Sequence, residues 1–89
     1  MKHTVLISCL SGVIYEQLKP DTSNYITYNY DNESKLWTIK LTWYVGNKLM
    51  GYRLAITDFD LDTIYQNLII EKYTTEVIAA YNKSFATPT

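Results

Sequence analysis

Three carboxylates alternate in Thr57-Asp58-Phe59-Asp60-Leu61-Asp62-Thr63, the stretch of this chain richest in groups that could do chemistry. Hard oxygen ligands so closely spaced suit a calcium or magnesium ion, or an acid paired with a base. The same residues lie where an apolar strand gives way to a helical pattern, and there a short polar side chain has a structural task. Its oxygen accepts from orphan backbone N–H groups, and a negative charge suits the positive end of the helix dipole. Capping, by Thr57 with Asp60 or by Asp60 itself, is the reading adopted, with no metal and no cofactor expected. A further use for the acidic loop is contact with a basic partner.

The remaining reactive groups are sparse. His3 is the only histidine and is expected to be mobile near the start of the chain. Cys9 is the only cysteine, which excludes an internal disulfide and a cysteine-based zinc site, and it is read as a small buried apolar residue. No GxSxG, P-loop or HExxH pattern occurs, and Glu16, Glu71 and Glu76 read as solvated helix faces. The alternating aspartates resemble the signature of haloacid dehalogenase-type phosphatases, whose paired-aspartate loop supplies a nucleophile, an acid/base and a magnesium ligand. Here no glycine follows Asp62, and the motif comes after a meander instead of ending the first strand of a long parallel α/β domain. The chain is therefore not expected to be an enzyme.

The elements that must position these residues begin with a hairpin. In Trp37–Val45 the odd residues Trp37, Ile39, Leu41, Trp43 and Val45 are apolar, and Gly46-Asn47 is a two-residue turn signal. On the return run Met50, Tyr52, Leu54 and Ile56 are the apolar set. Pairing Val45 with Lys48 places Trp43 opposite Met50, Leu41 opposite Tyr52, Ile39 opposite Leu54 and Trp37 opposite Ile56. A slip of one residue would turn one strand inside out.

Residues 24–30 alternate as well, with Ile26, Tyr28 and Tyr30 on one side. The cluster Asp31-Asn32-Glu33-Ser34 then reads as a four-residue turn, pairing Tyr30 with Lys35, Tyr28 with Trp37 and Ile26 with Ile39. Thr4–Leu18 carries Leu6, Leu10, Val13, Ile14 and Leu18 at helical spacing, and Lys19-Pro20 would end such a helix. A hairpin around Ser11-Gly12 is the competing reading, because glycine inside a helix costs about 1 kcal/mol relative to alanine. From Leu61 onward the pattern is helical, with Leu61, Ile64, Tyr65, Leu68, Ile69, Lys72, Tyr73, Val77, Ala80, Tyr81 and Phe85 on one face and a break expected at Thr74-Thr75. The expected fold is one α+β domain over residues 1–89: a three-stranded antiparallel meander packed against a C-terminal and an N-terminal helix, α-β-β-β-α. Trp37, Ile39, Leu41, Trp43, Tyr52, Leu54, Ile56, Ile64, Leu68 and Val77 are its expected core.

Composition narrows function by exclusion. Net charge is −1, which disfavours a protein that lives on phosphate contacts, although Tyr25, Lys40, Tyr44 and Arg53 on the outer sheet face could stack bases and hold phosphates. The α-β-β-β-α order is similar to that of double-stranded-RNA-binding domains, but that family opens its last helix with lysines and this chain opens it with aspartates. Nine tyrosines in 89 residues suit a contact surface, because tyrosine supplies area at low entropic cost. In size and composition the chain resembles accessory proteins of phages and other mobile elements, anti-CRISPR proteins included, many of which block a host complex. That likeness implies a viral inhibitor acting by protein binding, with Tyr25, Tyr28, Tyr30, Asp31, Glu33, Tyr44, Asp58 and Asp60 as contacts on a host protein with a basic surface. Nucleic acid is the alternative partner, and a structural or oligomer-forming subunit, such as a homodimer, is the third reading. The lone cysteine and the lack of a long apolar run point to the cytoplasm, with no membrane association.

Overall fold

The computed structural model describes residues 3–18 and 25–86. Its elements run α1 (Thr4–Leu18), β1 (Tyr25–Asp31), β2 (Leu36–Val45), β3 (Lys48–Thr57), α2 (Asp58–Thr63) and α3 (Gln66–Phe85). The three strands form one antiparallel sheet in the order β1-β2-β3. Helices α1 and α3 pack together over one face of it, α1 against β1 and α3 against β3. The architecture is α+β, α-β-β-β-α, as the apolar periodicity requires.

The β2–β3 hairpin has the register dictated by its pattern, from Val45↔Lys48 through Trp43↔Met50, Leu41↔Tyr52 and Ile39↔Leu54 to Trp37↔Ile56. Gly46 supplies the left-handed turn residue, at φ +63°. Strand β1 pairs two residues away from the expected register: Tyr30 faces Trp37, Tyr28 faces Ile39 and Ile26 faces Leu41. The reason lies in Asp31, which stays in the strand and organises the turn after it. Its carboxylate accepts from the Ser34 hydroxyl at 2.5 Å, the Ser34 N–H at 3.3 Å and the Glu33 N–H at 3.4 Å. The turn thus occupies residues 32–35 and closes with Lys35 in the left-handed region at φ +56°. A shift of two keeps each side chain on its face, so alternation alone could not separate the two registers.

Residues 4–18 are helix, not hairpin. Leu6, Ile7, Leu10, Ile14 and Leu18 bury one stripe, a gain that outweighs the cost of Gly12. Cys9 is exposed, a correction to its reading as a buried residue. It falls off the stripe, lining a groove between α1 and α3 with Val5 and Ile70. Lys19-Pro20, the connector after it and the C-terminal residues 87–89 lie outside the described residues.

The C-terminal helical region breaks at Ile64-Tyr65 and not at Thr74-Thr75. Ile64 is extended, at φ −105° and ψ 138°, and α3 starts afresh at Gln66. Two threonines cost a packed helix only a few tenths of a kcal/mol each, whereas the kink lets Ile64 pack against the core while α3 changes direction. The break also resets the helical phase. Ile69, Tyr73 and Val77 turn inward, and Leu68, expected in the core, is 48% exposed. The buried cluster otherwise contains the expected Trp37, Ile39, Leu41, Trp43, Leu54, Ile56 and Val77, with Tyr52 and Ile64 packed half-buried at its margin.

Candidate functional site

The three aspartates of α2 are engaged in holding the fold together. Thr57 is the N-cap of α2, its hydroxyl accepting from the Asp60 N–H at 3.1 Å. Helix α2 then turns the three aspartates toward different partners. Asp58 accepts from the Tyr30 hydroxyl at 2.5 Å, and its own N–H donates to the Lys35 carbonyl. Asp60 faces the Tyr73 hydroxyl at 3.5 Å, and Asp62 lies 2.8 Å from His3 Nε2. His3, expected to be mobile, thus bridges the first turn of α1 and α2. Among the described residues no three His, Cys, Asp or Glu side chains gather in a way that could hold a metal.

These contacts leave electrostatic traces. The hydrogen bond to Asp58, then burial and the charges of Asp58 and Asp31, push the Tyr30 hydroxyl up to about 12. Burial and the nearby Asp60 raise Tyr73, and a hydrogen bond to Glu76, with burial, raises Tyr52. The Ser34 hydroxyl and N–H, together with the Glu33 N–H, hold the Asp31 carboxyl below its usual range. Each shift belongs to a group whose partner is internal.

Among the described residues, the opposite face of the sheet has no such internal partners. On it the rows run Tyr25–Thr42–Gly51, Thr27–Lys40–Arg53 and Asn29–Thr38–Ala55, with Tyr44 paired to Leu49 near the hairpin turn. Lys40 and Arg53 stand directly opposite each other, and neither forms an ion pair among the described residues. Like charges in directly opposed positions destabilise a sheet. No carboxylate lies in these rows, the first being Asp31 at the strand end. Beside the cations, Tyr25 is 65% exposed, Tyr44 47% and Leu49 56%. Tyr25 pairs with Thr42, so Tyr44 is its diagonal neighbour, about 7–8 Å away and within reach of a large ring.

The eight residues expected to contact a protein partner are therefore distributed over different surfaces. Tyr25 and Tyr44 share the outer face. Tyr28 and Tyr30 lie on the inner side of the edge strand, where both rings pack on Trp37, at 6.1 and 5.1 Å between centroids. Asp31, Glu33, Asp58 and Asp60 gather at the far end, around the β1–β2 turn and the start of α2. The four residues of the nucleic-acid reading, Tyr25, Lys40, Tyr44 and Arg53, do share one face. Leu49 belongs with them, and its place on the polar side of an alternating strand was the signal for it.

Comparison with protein-family models, curated proteins and solved structures gives no match to this chain. No helix among the described residues is long and apolar enough to cross a membrane.

Proposed function

We propose that this chain is a non-enzymatic protein-binding module whose contact surface is the outer face of the sheet. The observation that carries this is the Lys40–Arg53 pair. Two cations stand opposite each other, an arrangement that disfavours a sheet, with no carboxylate paired to them among the described residues and with exposed Tyr25, Tyr44 and Leu49 beside them. Tyrosine and arginine are the residue types that dominate binding hot spots. The partner that fits is a protein presenting carboxylates against Lys40 and Arg53 and an apolar patch against the Tyr25–Tyr44–Leu49 end. The likeness to phage accessory proteins makes a host complex the proposed source of that partner, met in the reducing cytoplasm, where the exposed Cys9 thiol would persist. Contact between the acidic end, Glu33 foremost, and a basic region of the same partner is compatible with this arrangement.

The same face supports a second reading, a single-stranded nucleic acid, on the ground that Tyr25 and Tyr44 are spaced diagonally beside the cations. Affinity capture with the wild-type chain and with Lys40→Glu/Arg53→Glu, alongside labelled single-stranded DNA and RNA at low salt, separates the two. The protein reading expects a retained protein that the double variant loses, and no oligonucleotide binding. A partner held equally by both chains would remove the outer face from consideration. Oligonucleotide binding that weakens steeply with salt would establish the second reading in its place.

A further inference from the structure

We infer that the anion taken by Lys40 and Arg53 is the phosphoryl group of a phosphotyrosine side chain whose ring is seated on Gly51. The site rests on the reading of the outer face as a contact surface for a protein, and it names the acid which that protein presents there.

Charge selects the phosphoryl group. Lys40 and Arg53 are directly opposed, so their Cβ atoms lie about 4.5–5.5 Å apart and both long side chains can converge on one point above the sheet. A carboxylate brings a single negative charge to that point, as does the phosphodiester of a nucleic acid. A phosphorylated side chain brings about −1.5 to −2, with three strong acceptor oxygens, and so answers both cations at once. Arg53 offers the planar fork that binds phosphoryl oxygens in pairs, and Lys40 a point charge beside it. Further donors surround Lys40: the hydroxyls of Thr27, opposite it on β1, and of Thr38 and Thr42, two residues away on its own strand. No carboxylate stands in these rows to compete for the cations.

Gly51 selects the ring. It lies within β3 on the outer face, exposed, next to Arg53 and opposite Thr42. Glycine inside a strand weakens it, and marks a bulge, a barrel corner or the close approach of a ligand. There is no bulge, because the pairing of β2 with β3 runs unbroken from Val45↔Lys48 to Leu36↔Thr57, and the sheet is open. The φ of Gly51 lies outside the left-handed region. A Cβ there would come no nearer than 3.5 Å, to the Leu41 carbonyl oxygen, which is ordinary contact. Neither backbone nor packing therefore calls for glycine. Its missing side chain leaves a notch between Leu49 and Arg53, with Tyr44 standing opposite Leu49. An aromatic ring lying on the Gly51 backbone meets an apolar side chain and another ring. Gly51 and Arg53 are about 6.8 Å apart along the strand. That span suits phosphotyrosine, whose phosphoryl group projects from the far end of a rigid ring. Phosphoserine would fill the anion site and leave the notch empty.

Short glycine-flanked peptides carrying phosphotyrosine, tyrosine, phosphoserine or glutamate, titrated against the full chain and followed by NMR, test the site. The phosphotyrosine peptide should shift the amides of Lys40, Gly51 and Arg53, and bind at least tenfold more tightly than the tyrosine and glutamate peptides. It should also bind more tightly than the phosphoserine peptide. Lys40→Ala and Arg53→Ala remove the like-charge opposition and so spare the fold, and each should weaken binding at least tenfold. Gly51→Val introduces a favoured strand residue that fills the notch, and should bring the phosphotyrosine and phosphoserine peptides to the same affinity. The site is overturned if the phosphotyrosine peptide binds no better than the glutamate one, or if Gly51→Val leaves its advantage over phosphoserine intact. Tighter binding of a single-stranded oligonucleotide than of the peptide would overturn it too. A partner captured through the outer face from phosphatase-treated and untreated lysate alike would overturn the phosphotyrosine while leaving the proposed function standing. A partner that Lys40→Glu/Arg53→Glu still retains would count against the proposed function instead, and the peptides would then decide the phosphotyrosine site by themselves.

Discussion

Lys40 and Arg53 are cross-strand partners at the centre of β2 and β3, two positive charges opposed on the face away from α1 and α3. The pairing separates what the fold prefers from what the surface is proposed to do. Arg53→Glu turns the repulsive pair into an attractive one, which should stabilise the protein by about 0.2–1 kcal/mol, less so at high salt. The same change should abolish capture of the partner. A denaturation midpoint that falls in Arg53→Glu would show that the two cations impose no strain on the sheet.

Tyr30 and Asp58 tie the edge strand to the start of α2. The tyrosine holds its proton up to about 12, against an ordinary value of 10.0. Below pH 10 the hydroxyl is protonated in folded and unfolded chains alike, and the bond contributes in full. Between pH 10 and about 12 the unfolded chain ionises while the folded one resists, so this contribution is lost as pH rises. Alkaline titration of tyrosinate absorbance should show a late-titrating group that disappears in Tyr30→Phe. The variant should also lose stability less steeply than the wild type above pH 10.

Much of the fold was legible because its signals were redundant. In the β2–β3 hairpin the turn residues and the alternation of both strands demanded the same register. In β1 only the alternation spoke, and it cannot distinguish registers two apart. The deciding contact was Asp31 with the Ser34 hydroxyl and N–H, a local side-chain choice that a hydrophobic pattern does not record. The break at Ile64 was hidden for a similar reason, since Ile64 fits a helical face and is turned away from it only by packing. For the candidate site, strand parity placed Tyr25, Lys40, Tyr44 and Arg53 together. The acidic residues were harder to place, because whether a carboxylate meets a partner or a neighbouring tyrosine depends on tertiary contacts such as Tyr30 with Asp58.

Thr57 closes β3 and opens α2, its hydroxyl accepting from the Asp60 N–H. Thr57→Ala leaves that N–H to water and should cost about 1 kcal/mol. Thr57→Ser keeps the oxygen and should restore most of the loss. Urea denaturation of the three proteins measures both effects. If alanine and serine behaved alike, the hydroxyl would have no capping role.

Trp43 donates its indole N–H to the Ser84 hydroxyl at 2.9 Å, linking the centre of the sheet to the last turn of α3. The ring is buried, at 2% exposure, and packs on Tyr81 at 5.3 Å between centroids. Ser84→Ala strands a buried donor, which should cost about 1–3 kcal/mol. Ser84 also donates to the Tyr81 carbonyl at 2.6 Å, so part of any loss comes from that second bond. Repeating the change in a Trp43→Phe background removes the indole N–H and leaves the Tyr81 bond in place. Ser84→Ala should therefore cost less there than in the wild type, and the difference measures the coupling between sheet and helix. Equal costs in the two backgrounds would mean that the indole bond does not anchor the end of α3.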